Sequence, residues 1–341
     1  MNDSPFDAFL LVSFGGPEQA EDVMPFLERV VAGKNVPRER LEEVAAHYHH
    51  FGGRSPINDQ NRALLQALAA EFARRGRPLP CYLGNRNWHP LLEETLAEMA
   101  AAGVRRAVAF ITSAFGSYSG CRQYLEDIAR ARAAVGRTAP HIDRLPLCGL
   151  HPGYIDTMAD RVREASARFP DPAPSQLRLV FTAHSIPVSM AETSPYRTQL
   201  GEACRLVAER TAFETWDLVY QSRSGPPHVP WLGPDVLDHL RAIATESPAT
   251  GVLLCPIGFL SDHLEVLYDL DVEAASLASE LGIPLVRAET AGTHPRFVKM
   301  IADLVDDLAA GRKSSSADAS SACPAVCPPD CCPPPRRPSR G

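Results

Sequence analysis

Short apolar runs recur along this chain, and each closes on a small or polar turn before a helical pattern begins. Phe9 to Phe14 ends in Gly15-Gly16-Pro17 and gives way to helical periodicity from Ala20 to Val31. Cys81 to Gly84, Ala107 to Thr112, Leu177 to Phe181, Leu218 to Gln221 and Gly251 to Ile257 repeat the plan. Helical stretches such as Asn58 to Arg75, Leu91 to Ala102 and Tyr154 to Arg168 separate them. Strands that alternate with helices must run parallel, with the helices as crossovers, so the expected class is α/β with parallel sheets. The Pro- and Gly-rich stretch from Ala139 to Gly153 reads as an interdomain crossing. It divides the chain into an N-terminal domain, 1–150, a second domain of the same plan, 151–311, and a tail, 312–341.

With 341 residues, 45% of them hydrophobic, the chain can bury two such cores. Its formal charge of −7 argues against nucleic acid or an anionic membrane surface as the main partner, because phosphate binding needs a basic footprint. The N-terminus is acidic, and Phe9 to Val12 is too short for a signal segment. No apolar run approaches a membrane span, so a cytoplasmic location is expected. Cys81, Cys121, Cys148, Cys204 and Cys255 stand singly in apolar or helical contexts, which suits small core side chains in a reducing compartment.

The chemistry gathers where strands end. After Gly251 to Ile257 comes a helical stretch in which Glu265, Asp269 and Glu273 recur every four residues and so share one face. Like charges at that spacing repel, so the face is either solvated or meets a cation. Its first member stands at a strand's carboxyl end, where open α/β sheets place their ligands. His184 stands just past the end of Leu177 to Phe181, in the same topological place. Arg54-Ser55 supplies a cation and a hydroxyl, and Ser113 to Tyr124 is a loop of small residues, hydroxyls and aromatics suited to lining a pocket. His47, His49 and His50 precede a Gly-Gly turn without a carboxylate at ligand spacing, which argues against a metal site there. The tail, rich in Ser, Pro and Arg, is expected to be disordered except around Cys323, Cys327, Cys331 and Cys332, an all-sulfur set that favours zinc or an iron–sulfur cluster.

Taken together, Ser13-Phe14-Gly15-Gly16-Pro17, Phe51-Gly52-Gly53-Arg54-Ser55-Pro56, Thr182-Ala183-His184-Ser185-Ile186-Pro187, Gln221-Ser222-Arg223-Ser224-Gly225-Pro226 and the stretch Gly258 to Glu273 resemble the ferrochelatases, over roughly Phe6 to Ala310. The resemblance implies two similar Rossmann-like domains with parallel sheets, of the class II chelatase type, and a cleft where ferrous iron enters a porphyrin. It implies His184 and Glu265 as the catalytic, metal-binding pair, with Asp269 and Glu273 continuing an acidic line on a helix that is often π-distorted. Ser55 and Tyr124 match porphyrin-contacting positions. Arg54 and Phe14 are read with them as porphyrin-binding, and Phe14 cannot ligate iron where some relatives carry Tyr.

Gly84-Asn85-Arg86-Asn87-Trp88 and Gln221 to Pro227 look like the actinobacterial branch. That branch is associated with coproporphyrin III and with a [2Fe–2S] cluster on tail cysteines plus one interior cysteine. Cys148 is the interior candidate, so a cluster would take four of Cys148, Cys323, Cys327, Cys331 and Cys332. The product would pass to a downstream haem-pathway enzyme.

The residues support this chemistry on their own terms. Metallation removes two pyrrole protons and exchanges the water around Fe²⁺ for four nitrogens, so it needs a base and a transient ligand set. Imidazole and carboxylate supply both, while Arg54, Ser55 and Arg122 could hold propionates. Two rivals use the same residues: a haem or iron carrier without turnover, and a hydrolase with Ser185 activated by His184. Adjacent residues seldom place nucleophile and base correctly, and no oxyanion loop is evident. A protoporphyrin IX ferrochelatase is the alternative within the family.

Overall fold

The structure is a computed structural model that describes residues 5–34, 36–170, 177–225, 228–246, 251–312, 327–328 and 330–334. Its eight strands are β1 (Ala8–Ser13), β2 (Cys81–Asn85), β3 (Arg106–Ile111), β4 (His141–Arg144), β5 (Leu177–His184), β6 (Trp216–Gln221), β7 (Gly251–Cys255) and β8 (Leu285–Arg287). They form two four-stranded sheets in the orders β2-β1-β3-β4 and β6-β5-β7-β8, with every pairing parallel. The two halves therefore repeat one topology. In the second, the order reverses between β5 and β7, the switch point at whose carboxyl ends open α/β sheets place their ligands.

Apolar periodicity located most elements to within two or three residues. It missed the helices Gln123–Val135 and Tyr196–Thr211 and the strand β4, which lies inside the stretch read as a crossing. Its sequence, His141-Ile142-Asp143-Arg144, is too polar to register as a buried run. Pairing with β3 makes it a strand, and Arg106 reaches across that edge to Asp143 at 2.7 Å.

The helices are α1 (Val23–Val30), α2 (Arg38–His50), α3 (Ile57–Arg74), α4 (Leu92–Ala101), α5 (Gln123–Val135), α6 (Pro152–Ser166), α7 (Val188–Glu192), α8 (Tyr196–Thr211), α9 (Val236–Glu246), α10 (Leu264–Val266), α11 (Ala275–Glu280) and α12 (Pro295–Ala309). Two π-helical segments interrupt them, Tyr118–Arg122 and Leu267–Ala274. None of the described helices is long and apolar enough to cross a membrane.

One hydrophobic cluster runs through both halves, from Phe9 and Phe110 to Leu179, Phe181 and Phe297. The last helix, α12, packs on α3 and α6. Phe297 from it meets Phe110 at 6.0 Å and Tyr154 at 6.1 Å, ring centre to ring centre. Arg75 beside α3 pairs with Asp303 and Asp306 of α12 at 2.9 and 2.8 Å. The Tyr154 hydroxyl donates to the Ile257 carbonyl at 2.6 Å, tying α6 to the segment after β7. A separate cluster joins α1 and α2 through Val23, Phe26, Leu41 and Tyr48, and it rests on Leu264 of α10. The first half thus caps the helix start that follows β7.

Because Phe297 is fully buried where the halves meet, Phe297→Ala should cost about 3–5 kcal/mol by lost transfer energy and the cavity left behind. Chemical denaturation followed by fluorescence and by circular dichroism should show both halves losing stability together. Loss confined to one half would contradict a shared core.

Candidate active site

His184 is the last residue of β5, and Glu265 lies in the short helix α10 that follows β7. The connecting loop must cross close over β5 to bring them together. Gly258 permits it: a Cβ there would sit 2.7 Å from Ala183 Cα, while its N–H donates to the Thr182 carbonyl at 3.0 Å. The outcome is His184 Nε2 at 3.5 Å from Glu265 Oε2, with the two side chains 33% and 45% exposed, so solvent reaches the pair.

The tautomer follows from the backbone. His184 Nδ1 lies 2.5 Å from the Ser185 carbonyl, which can only accept, so Nδ1 carries a proton and Nε2 is the nitrogen that faces Glu265, donating to it when the ring is protonated. The Tyr196 hydroxyl donates to the His184 carbonyl at 3.0 Å and fixes the strand end. Burial by itself would lower the imidazole's affinity for a proton, but the Glu265 carboxylate outweighs it and raises the pKa. Burial likewise works against the Glu265 charge and is outweighed by the hydrogen bond and charge of His184, with His263 adding to them, so Glu265 is held below the usual range. Such a pair is a proton acceptor with a stabilised imidazolium.

Behind the pair, the ladder sits on the π-helical segment Leu267–Ala274, the widened turn that often marks functional sites. Asp269 accepts from Ser222 Oγ at 2.5 Å and from Gln221 Nε2 at 3.3 Å. Burial raises its pKa to about 7, helped by the charges of Glu265 and Glu273 and opposed by those hydrogen bonds. Glu273 is exposed, and it too is raised, by partial burial and by the charge of Asp235. The carboxylates therefore run from the cleft outward to solvent. Among the described residues, no three His, Cys, Asp or Glu side chains converge to hold one ion.

Other expected contacts have more specific surroundings. Phe14, directly after β1, is 36% exposed, with Phe26 edge-on at 6.2 Å. Ser55 is buried against Gly16, its N–H bonded to the Pro17 carbonyl. Arg54 is exposed but paired with Asp59, its Nε 3.1 Å from the carboxylate. Tyr124 is buried beneath the Arg86 guanidinium, 4.5 Å from its ring centre. Arg122, read as a propionate donor, instead holds the tail: it donates to the carbonyls of Cys331 at 3.0 Å and Pro328 at 2.8 Å. His47 stacks flat on Tyr268 at 3.8 Å, so its role is packing over the ladder.

Cys148 is fully buried in the core beside Tyr154, where desolvation pushes its thiol up to about 12. The interior thiol that meets the tail is Cys121, in the π-helical turn before α5. A hydrogen bond from Cys121 and the charge of Arg144 hold Cys327 below the usual thiol range. Cys327 in turn meets Cys331, whose sulfur is 3.8 Å from that of Cys332. Cys323 lies outside the described residues.

The ferrochelatase family profile matches residues 6–308. The chain belongs to the ferrochelatase family. It is 54% identical over 303 residues to the ferrochelatase of Rhodopirellula baltica, covering 89% of this chain and 86% of that one. It is 53% identical to the coproporphyrin III ferrochelatase of Mycolicibacterium smegmatis, covering 90% and 91%, and 54% identical to that of Nocardia farcinica, covering 88% and 87%. Among solved structures, SirB from Bacillus subtilis with Fe³⁺ superposes with a TM-score of 0.57 at 10% identity, covering 90% of this chain and 99% of that one. That likeness extends the chelatase architecture to chains with almost no sequence in common.

Sequence reasoning missed His263, a second imidazole 3.9 Å from Glu265 and edge-on to Phe259. Its position two residues before Glu265, at the N-cap of α10, was the available signal.

His184→Ala should abolish metallation while porphyrin affinity, read by fluorescence quenching, stays within about tenfold. Glu265→Gln should be nearly as severe, and Asp269→Asn should mainly slow turnover. As pH falls through about 7, Asp269 gains a proton and the middle rung loses its charge, so the rate should fall on that limb and Asp269→Asn should weaken it. An unchanged pH profile in that variant would remove Asp269 from the path.

Proposed function

We propose that this chain inserts ferrous iron into coproporphyrin III to give Fe-coproporphyrin III, releasing two protons, in the cytoplasm. The observation that carries the reading is the His184–Glu265 pair at a strand-end crevice, with a carboxylate ladder leading out to solvent. Iron would shed water as it descends past Glu273 and Asp269, and the pair would complete the exchange. His184 Nε2 is the base for the pyrrole protons, and Glu265 holds the imidazolium that results. Asp269, titrating near neutrality, can pass those protons outward. A macrocycle bent in the cleft would aim a pyrrole lone pair at the metal, with propionate contacts supplying the energy.

Support for coproporphyrin III comes from the names of the Mycolicibacterium and Nocardia relatives, each about half identical over nearly the whole chain. The product suits a downstream haem-pathway enzyme.

We also assign a [2Fe–2S] cluster to the tail. Cys121, Cys327, Cys331 and Cys332 succeed one another in contact, and an all-sulfur donor set suits such a cluster. Such a cluster would supply a structural tie or a redox signal, away from the metallation pair.

Steady-state rates should favour coproporphyrin III over protoporphyrin IX, because four carboxylates engage more charge-assisted donors than two. Equal or reversed rates would move the chain to the protoporphyrin branch and leave the metal site as described. Protein purified without oxygen should be coloured and hold about two irons per chain. Cys121→Ser should bleach it and Cys148→Ser should not.

A further inference from the structure

We propose that Arg122 and Arg144 form a clamp that docks the cysteine tail on the body before any metal arrives. The inference rests on the reading of the tail as a thiol site, but it concerns how that site is assembled. The two arginines come from different elements and hold different parts of the tail. Arg122, closing the π-helical turn, binds backbone: its two donors reach the carbonyls of Pro328 and Cys331, and the Cys331 N–H turns back to the Pro328 carbonyl at 3.1 Å. Arg144, the last residue of β4, binds sulfur: Nη1 is 3.5 Å from Cys121 Sγ and Nη2 is 3.4 Å from Cys327 Sγ.

The body fixes where this fork starts. Arg144 is held by pairing with Ala109 of β3, and it is 8% exposed. A guanidinium keeps its charge in that setting, and it favours thiolate over thiol in whatever it faces. The tail's own sequence offers little apolar area, yet Cys332 is 4% exposed. Charge-assisted bonds are what bring it there. Small metal sites are commonly unfolded without their metal. Here the site's shape is supplied by two arginines, and N–H···S contacts remain to tune a cluster once it forms.

The test uses full-length protein, reduced and stripped of iron by a chelator. Alkylation of Cys121 is followed by mass spectrometry in the parent, in a chain ending at Arg312, in Arg144→Met and in Arg122→Met. Cys121 in the stripped parent should react about tenfold more slowly than in the shortened chain, since reaction requires local opening. Both arginine variants should move toward the shortened chain, with Cys204 and Cys255 protected throughout as controls of folding. Arg122→Met guards against a folding defect in Arg144→Met, because Arg122 meets the tail through backbone carbonyls. Equal Cys121 rates in the stripped parent and the shortened chain would overturn the clamp, as would full protection in both variants. Iron content of the untreated protein is read separately. Colourless protein with a protected Cys121 would end the cluster reading and keep the clamp, and coloured protein whose Cys121 is unprotected after stripping would do the reverse.

Discussion

An imidazole and a carboxylate 3.5 Å apart can be held so only if the two strands that deliver them are fixed neighbours. β5 and β7 pair along five residues, from Leu177 with Gly251 to Phe181 with Cys255. A slip of one residue would turn His184 away from the crevice. The close crossing at Gly258 and the bond from Tyr196 to the His184 carbonyl complete the constraint. Each charge stabilises the other only because this frame holds them together at the strand ends, where solvent can reach.

The π-helical segment has a matching logic. Asp269 stays close to Glu265 although the two repel, and the repulsion is offset by Ser222 and Gln221 at the end of β6. A carboxylate kept near neutrality by opposed forces can change charge without rearrangement of the backbone. The neighbouring Tyr268 is covered by His47, so the helix that carries the ladder also supports the α1–α2 pair.

Much of this was legible in the sequence because the signals were local. Apolar runs with terminal Gly, Ser or His marked strands and their functional ends, and four-residue spacing marked the ladder. β4 was not legible, since its polar residues become a strand only through β3. The role of Cys121 was hidden for the same reason: alone in its segment it looks like any small core residue, and only Arg144 and a distant tail give it a partner. Arg122 stood in the right loop, but its hydrogen bonds depend on chain that is far away in sequence. His263 had a position that could have been read, beside a residue already suspected.

The packing of α12 has a consequence for synthesis. The first sheet is complete in sequence by Arg144, yet α3 and Phe110 are covered by a helix near the chain's end. While the ribosome is still making the second half, the first must wait with an apolar face uncovered. A chain released before Pro295 would keep that apolar face open, and the first half can close its core only after the second is made.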